Sequence, residues 1–219
     1  MQTMTDLSLH FLQDVYDAER RAVRSMQKMA RAATSEPLKQ AILQHRDQSE
    51  AQITRLEQVF ELVTGKRPRG KTCAAMAGLI KEVDEAIAET EKGPVLDAAL
   101  IACAQAIEHY EIARYGAMAA WARQAGKQDV ADLLNQTLEE EKQSDQKLSA
   151  LAEGEVNPAV PQEEAKPAPT RRASARKEAP PAPEPAIAPA PRGRRKAAAP
   201  EPSAPEPAPA PKARRTTRK

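Results

Sequence analysis

The stretch IEHYEIARYG, residues 107–116, decides how the fold is interpreted, because it places charged and aromatic side chains in the middle of a helical pattern. Glu108 and Glu111 are three positions apart and therefore share one face of a helix. If that face points to solvent, the two carboxylates need no explanation. If it points into a core, another group must balance their charge, and the surrounding pattern has to decide between the two.

Apolar residues recur every three to four positions through the first 152 residues, which predicts amphipathic helices and no strand. Ser35 is a favourable N-cap with Pro37 in the following first turn, and Gly126 is typical of a helix C-terminus. The predicted helices cover about residues 7–33, 35–63, 73–91, 95–125 and 128–152.

The spacing of these helices predicts their connections. Short turns near residues 34 and 126 make two antiparallel hairpins, and the longer segment from about 64 to 94 joins them. Four long helices with one long connection are typical of a ferritin-like antiparallel four-helix bundle. We therefore predict an all-α bundle with a shorter helix in the long crossover connection.

The composition changes at about residue 153. All but three of the 19 prolines lie from Pro158 onward, and residues 166–219 contain 14 Lys/Arg against 4 Glu, a net charge of +10. Since the whole chain carries +2, the first 165 residues carry −8. We predict two regions, a helical bundle over 1–152 and a disordered Ala/Pro-rich basic tail over 153–219, because this composition cannot bury a core.

Basic clusters on a flexible chain bind phosphate backbones without sequence preference. The predicted tail residues for DNA contact are Arg171, Arg172, Arg176, Lys177, Arg192, Arg194, Arg195, Lys196, Arg214 and Arg215. A solubilising or membrane-surface tail is the alternative. The chain has no apolar run long enough to span a bilayer and no signal-peptide pattern, and its two cysteines make no disulfide framework, which predicts a cytoplasmic protein. The basic tail is compatible with association with the nucleoid.

Each of the four long helices has a polar gap in its apolar spine. The gap contains Glu19 in the helix over 7–33 and His45, Ser49 and Gln52 in the helix over 35–63. It contains Glu108 and Glu111 in the helix over 95–125, and Glu141 and Asp145 in the helix over 128–152. Hairpin geometry places Glu19 opposite about residue 50, and Glu108 and Glu111 opposite Asp145 and about residue 142. All four gaps are therefore expected at one level of the bundle.

Five carboxylates in one buried layer would be costly, since an uncompensated buried ion costs several kcal/mol. Two divalent cations would remove most of that cost, and inward carboxylates with a histidine are typical of di-iron or di-manganese bundles. We predict two iron ions, with manganese as the alternative, held by the metal-ligand set Glu19, His45, Glu108, Glu111, Glu141 and Asp145. The competing interpretation is a polar layer of protonated carboxyls and salt bridges involving His45 or Arg114.

Neighbouring polar and aromatic residues are expected to play other roles. Glu139 and Glu140 are predicted to be exposed, and His109 to lie at the surface beside the layer. Tyr16 and Tyr115 are predicted as core aromatic residues that flank it.

Five segments, LQDVYDAERR (12–21), RLEQVFELV (55–63), KTCAAMAGLIKEVDEAI (71–87), DAALIACAQAIEHYEIARYG (97–116) and TLEEEKQSDQKL (137–148), resemble the YciF/YciE-type ferritin-like proteins. The resemblance implies a ferritin-like bundle, a homodimer, an iron-type metal site and a bacterial stress-response role. One departure is HRDQS at residues 45–49, where Gln48 takes the place of the family's usual glutamate. This departure predicts a weakened, asymmetric or lost metal site.

Two functions follow from these observations. One is a metal-binding stress-response protein that stores or detoxifies iron or catalyses an oxidation, with a tail that contacts DNA. The alternative is a non-catalytic nucleoid or scaffold protein, in which the bundle serves dimerisation and the metal site is degenerate. No substrate can be named from the residues, so enzymatic activity stays open.

Overall fold

The computed structural model describes residues 1–161, and the regular secondary structure in that range is entirely helical. Its long helices are α1 Met4–Ala32, α2 Glu36–Thr64, α3 Ala74–Glu89, α4 Pro94–Gln124 and α5 Gln128–Leu151. The predicted all-α fold with a shorter helix in the crossover is confirmed. No helix in this part of the chain combines the length and apolarity that a membrane crossing requires.

The first helix begins earlier than predicted. Thr3 is its N-cap, and the Asp6 backbone N–H donates to Thr3 Oγ1 at 3.1 Å while the Asp6 carboxylate accepts from the Thr3 backbone N–H at 3.2 Å. This reciprocal capping box satisfies two N–H groups that a helix start otherwise leaves unpaired. Thr5 and Asp6 therefore lie in the first turn of a helix that was predicted to begin at about residue 7.

The two short turns join the helices within each hairpin, as predicted. Ser35 caps α2, and the Asp97 carboxylate at the start of α4 accepts hydrogen bonds from the backbone N–H groups of Thr34 and Ser35 at 2.7 and 2.8 Å. Gly126 adopts a φ of 71° between α4 and α5, a left-handed conformation that glycine reaches without a steric cost. Asp97 thereby ties the first hairpin to the beginning of the second.

The helices pack in the ferritin-like arrangement. α1 packs against α2 and α4 against α5, and the two hairpins meet through α1 with α4 and α2 with α5. Contacts such as Tyr16 with Glu57 and Gln105 with Ser149 show that the helices within each hairpin run antiparallel. The crossover helix α3 lies against α1 and α4, and Lys28 pairs with Asp84 at 2.8 Å there.

Helical structure continues past the predicted bundle boundary at residue 152. A π-helical turn, Ala152–Val156, leads into a short helical turn, α6 Asn157–Ala159, and the Val156 side chain is buried. The helical body therefore extends several residues further than expected, because Val156 completes its apolar core. Residues 162–219, with all ten predicted DNA-contacting residues, lie outside the described part of the chain, and the predicted tail stays a prediction.

The buried apolar residues form two separate clusters. The first includes Met26, Leu38 and Leu100. The second includes Val15 in the first half of α1 and Phe60 near the end of α2. The polar gaps of the four long helices lie between these clusters. The core is thus divided by a polar layer at mid-bundle, as the hairpin geometry predicts.

Candidate metal centre

Four side chains converge in the polar layer between the two apolar clusters. Each of His45, Glu108, Glu111 and Glu141 offers a ligand atom, and these atoms all lie within 4.8 Å of one another. His45 comes from α2, the next two from α4 and Glu141 from α5. Three helices therefore contribute to one group of donors. Glu108 and Glu111 share the inward face of α4, as their three-residue spacing predicts.

Glu19 of α1 adds a fourth carboxylate from the remaining long helix. It is completely buried, and the Tyr115 hydroxyl donates to Glu19 Oε1 at 2.5 Å. The charge of Glu19 acts on both Glu108 and Glu111, and it contributes to raising the pKa of each. Glu19 thus belongs to the same electrostatic unit, with one oxygen fixed by a tyrosine.

The layer leaves many buried ligand atoms without hydrogen bonds. Both carboxylate oxygens of Glu111 and of Glu141 lack a partner, as do Glu19 Oε2 and Glu108 Oε2. Buried polar atoms in folded proteins are nearly always satisfied, so a cluster of unsatisfied carboxylate oxygens requires an explanation. Glu108, Glu111 and Glu141 belong with His45 to the group that could hold a metal ion, and such an ion would pair their free oxygens.

His45 faces the carboxylates without forming a hydrogen bond. Its Nε2 lies 3.1 Å from Glu108 Oε1 and 3.4 Å from Glu141 Oε2, yet neither ring nitrogen has a hydrogen-bond partner. Proximity without hydrogen-bond alignment weakens the interpretation as a simple salt bridge. The same position suits a neutral imidazole that directs a lone pair at a cation between the three groups.

Burial shifts the titration of the carboxyl groups. Burial, and after it the negative charge of Glu141, raises the pKa of Glu19 to about 8. Burial also raises the pKa of Glu108 to about 7, although the Ser144 hydroxyl, which donates to its carboxylate, opposes the shift. Both groups therefore hold their protons at a pH where an exposed glutamate has lost its own.

Glu111 and Glu141 show the same direction. Burial, followed by the charges of Glu19 and Glu141, raises the pKa of Glu111 well above its ordinary range. Burial, together with the nearby charge of Glu108, raises the pKa of Glu141 in the same way. Ionised carboxylates are therefore unfavourable in this layer unless a positive charge is bound beside them.

The second helix contributes neutral groups besides His45. Ser49 and Gln52 are completely buried, and Ser49 Oγ and Gln52 Oε1 have no hydrogen-bond partner. Gln48 is only half-buried and lies at the edge of the layer. The position that carries glutamate in the resembled family thus carries an uncharged side chain here, which leaves α2 without a carboxylate in the centre.

The structure does not bring Asp145 into the cluster. Its carboxylate accepts from Gln105 Nε2 at 3.1 Å and lies 3.3 Å from Nε2 of His109, whose side chain is 68% exposed. Asp145 is half-buried and is one helical turn beyond Glu141 on α5. Its predicted place in the ligand set is not supported by this position, while the surface position predicted for His109 is observed.

Two pairs of hydrogen-bonded side chains were not predicted from the sequence. Glu140, predicted to be exposed, is half-buried and accepts from both terminal nitrogens of Arg55 at 2.9 Å. Tyr115, predicted as a plain core aromatic residue, is the hydrogen-bond donor to Glu19. The expected burial of Tyr115 and Glu19 near one level of the bundle is the only sequence signal that could have suggested their hydrogen bond.

A cleft of about 190 Å³ opens beside His45 and Glu108. Its walls include the thioethers of Met26 and Met29 and the polar side chains of Gln48 and others on α2 and α5. Lys147 of α5 donates to Gln44 Oε1 of α2 at the same cleft. The cleft connects the polar layer with the surface and has room for a small molecule.

With this geometry established, comparison with known proteins identifies the family. Residues 3–160 match the family model described as domain of unknown function DUF892. The chain belongs to the DUF892 family. Its matched segment covers the whole helical body, including the π-helical turn after α5.

Relatives of this DUF892 chain support the same fold. Protein YciF of Escherichia coli strain K12 is 47% identical over 157 residues, which are 72% of this chain and 95% of that protein. The crystal structure of the E. coli stress protein YciF matches with a TM-score of 0.69 over 72% of this chain and 99% of that chain. The resemblance proposed from the five sequence segments is thereby confirmed.

Two further solved structures agree. YcfI from Rhodopseudomonas palustris is 47% identical, with a TM-score of 0.65 over 68% of this chain and 94% of that one. A protein from Xanthomonas campestris pv. campestris is 27% identical, with a TM-score of 0.56 over 69% of this chain and 92% of that one. A similar fold is therefore found at 27% identity.

Proposed function

We propose that the bundle binds two divalent metal ions, with iron as the natural metal and manganese as the alternative. The observation that carries this proposal is the set of buried carboxylate oxygens and imidazole nitrogens that have no protein partner. Glu19, His45, Glu108, Glu111 and Glu141 would hold the ions. Their oxygen and imidazole donors suit iron or manganese better than the thiolate-rich sets of structural zinc sites.

Charge balance supports two ions. The four buried glutamates carry four negative charges when they are ionised, and two divalent ions supply four positive charges. One ion would leave two of these carboxylates uncompensated unless they kept their protons, and an uncompensated buried ion costs several kcal/mol. Burial raises the pKa values of Glu19 and Glu108, so metal binding at neutral pH would displace their protons.

In function, we propose an iron-handling protein that protects the cell during stress, either by sequestering iron or by consuming peroxide. A redox-active ion held here would supply one-electron chemistry. The chain itself would supply the dry layer, the ligands and the cleft beside His45, through which a small uncharged oxidant can reach the layer. The similarity to the E. coli stress protein YciF supports the stress role.

Metal analysis tests the central claim. The full chain, stripped of metal and reloaded with ferrous iron without oxygen, should hold about two ions per chain by elemental analysis. Glu19→Ala combined with Glu111→Ala should abolish binding, because both side chains are completely buried in the layer. Glu139→Ala is the matched control, since this exposed residue lies on the same helix as Glu141. Absence of iron in the wild-type chain after loading would reject the proposal.

We also propose that the basic tail contacts DNA and that the protein acts in the cytoplasm, at the nucleoid. The 14 Lys/Arg against 4 Glu in residues 166–219 support an electrostatic contact with phosphates. A homodimer is proposed from the family resemblance, and sedimentation equilibrium would measure it. Gel shifts at rising salt would test the tail, and unchanged shifts after its removal would reject DNA contact.

A further inference from the structure

A second polar cluster lies beside the metal layer and takes no part in it. Cys73 caps the N-terminus of α3, and its Sγ lies 3.0 Å from the hydroxyl oxygen of Tyr110 on α4. The same tyrosine hydroxyl donates to Asp14 Oδ2 of α1 at 2.9 Å. Cys73 is completely buried and Asp14 almost so, so the three groups form a closed chain between the crossover and the bundle.

The hydrogen bonds give this chain a direction. Because the single phenol proton of Tyr110 is donated to Asp14, the contact between Cys73 and Tyr110 requires the thiol to donate to the phenol oxygen. A proton can therefore move from Cys73 to Tyr110 as another moves from Tyr110 to Asp14. Such an arrangement lets the phenol lose an electron and a proton together.

Arg114 favours coupled loss of the proton. Its guanidinium carbon lies 5.0 Å from the centre of the Tyr110 ring. A cation at that distance is attracted by the electron-rich ring of a neutral phenol and would repel a positively charged ring radical. Oxidation of Tyr110 is therefore tied to transfer of its proton to Asp14.

The cluster is also close to the proposed metal layer. Tyr110 immediately precedes Glu111, a completely buried residue of that layer, on α4. The other cysteine, Cys103, is half-buried and forms no hydrogen bond with a tyrosine in the described residues. Only Cys73 combines full burial, a phenol partner and a proton acceptor behind it.

We propose that Cys73 and Tyr110 are a two-electron donor pair that becomes joined by a thioether bond when the protein meets hydrogen peroxide. The bond forms between Cys73 Sγ and the ring carbon next to the Tyr110 hydroxyl, and the S–H and that ring C–H bond break. The two electrons reduce the O–O bond of one peroxide, and the two hydrogens leave as protons that end in two water molecules. The sulfur already contacts the phenol oxygen, and that ring carbon is one bond away from the carbon bearing it.

This inference rests on the proposed function for its natural oxidant, because peroxide needs a redox-active ion to oxidise a phenol. The experiment therefore has two arms on the full chain. One uses iron-loaded protein with hydrogen peroxide, and the other uses metal-free protein with ruthenium tris-bipyridine, persulfate and light, which removes single electrons from phenols. Iron content and peroxide consumption are measured separately.

We expect both arms to produce chains that are lighter by the mass of two hydrogen atoms and that contain a peptide linking Cys73 to Tyr110. After denaturation with reductant, one of the two thiols should no longer react with an alkylating reagent. Cys73→Ser, which keeps a favourable N-cap side chain, and Tyr110→Phe should both abolish the link. Cys103→Ser and Tyr16→Phe are the matched controls and should leave it unchanged.

The outcomes separate the two claims. If iron binds and peroxide is consumed while both thiols stay reactive in both arms, the pair is not a donor and the inference is overturned, although the proposed function stands. A link that forms only under light, with iron bound, rejects peroxide as the oxidant and also overturns it. If no iron binds, the proposed function fails, and the light arm alone decides whether Cys73 and Tyr110 are a linkable pair.

Discussion

Replacing Glu108 by glutamine should stabilise the metal-free protein near pH 8 and destabilise the metal-loaded protein. Burial raises the pKa of Glu108 from an ordinary value of 4.5 to about 7. Glutamine has nearly the same shape and is neutral at every pH, and its oxygen can still accept the Ser144 hydroxyl, which lies 3.2 Å from Glu108 Oε1. The substitution therefore removes the cost of burying the charge and also removes a metal ligand.

The sign and size follow from proton binding. Between about pH 4.5 and pH 7, Glu108 keeps its proton in the folded protein and loses it in the unfolded chain, so the free energy of unfolding falls as pH rises. Stability from this group is complete below the unfolded pKa and is lost by the time pH has passed the folded pKa. The difference between the two pKa values corresponds to about 3 kcal/mol.

Urea unfolding at about pH 5 and about pH 8, with chelator or with ferrous iron, would measure this. With chelator, wild type and Glu108→Gln should be nearly equal at about pH 5, and the variant should be more stable at about pH 8 by about 3 kcal/mol. With iron at about 100 times its dissociation constant, wild type should gain about 2.7 kcal/mol, and the variant should gain much less.

Glu139→Gln provides the control, because Glu139 is exposed and, among the described residues, forms an ion pair with Lys142 of its own helix. It should change stability by less than about 0.5 kcal/mol in every condition. The reasoning would be refuted if metal-free wild type became more stable from about pH 5 to about pH 8, or if Glu108→Gln were the less stable chain with chelator at both pH values.

Three further perturbations follow from the structure. Tyr115→Phe leaves a buried Glu19 oxygen without its donor, so thermal or urea unfolding should show a loss of about 1–3 kcal/mol, and no loss would mean that this hydrogen bond is unimportant. Gln48→Glu supplies the missing carboxylate at the edge of the layer and should tighten iron binding about tenfold by competition titration, about 1.4 kcal/mol, whereas unchanged affinity would show that residue 48 does not reach the metal. Truncation after residue 161 should leave unfolding unchanged, whereas truncation after residue 152 also removes buried Val156 and should cost about 1.5–3 kcal/mol; equal stability of the two truncated chains would contradict the extended boundary.

The sequence by itself determined the helices, their hairpin pairing and the height of the polar layer. Apolar periodicity is a local signal, and a helix advances by a fixed rise of about 1.5 Å per residue, so the position of a turn sets which residues lie at one level. Glu108 accordingly lies beside Ser144, within one residue of the position expected from the turn near residue 126. Local capping was harder to place, since Thr3 and Asp6 act together only once their geometry is formed.

Only the tertiary structure decided which polar side chains face inward. Glu141 and Asp145 are four residues apart and share a helix face by spacing, yet Glu141 is completely buried and Asp145 pairs with Gln105 at the edge of the bundle. The rotation of α5 about its own axis separates them, and that rotation is set by packing against α2 and α4 at once. For the same reason the sequence could not show that Cys73 of the crossover reaches Tyr110, because that contact depends on how α3 lies across α1 and α4.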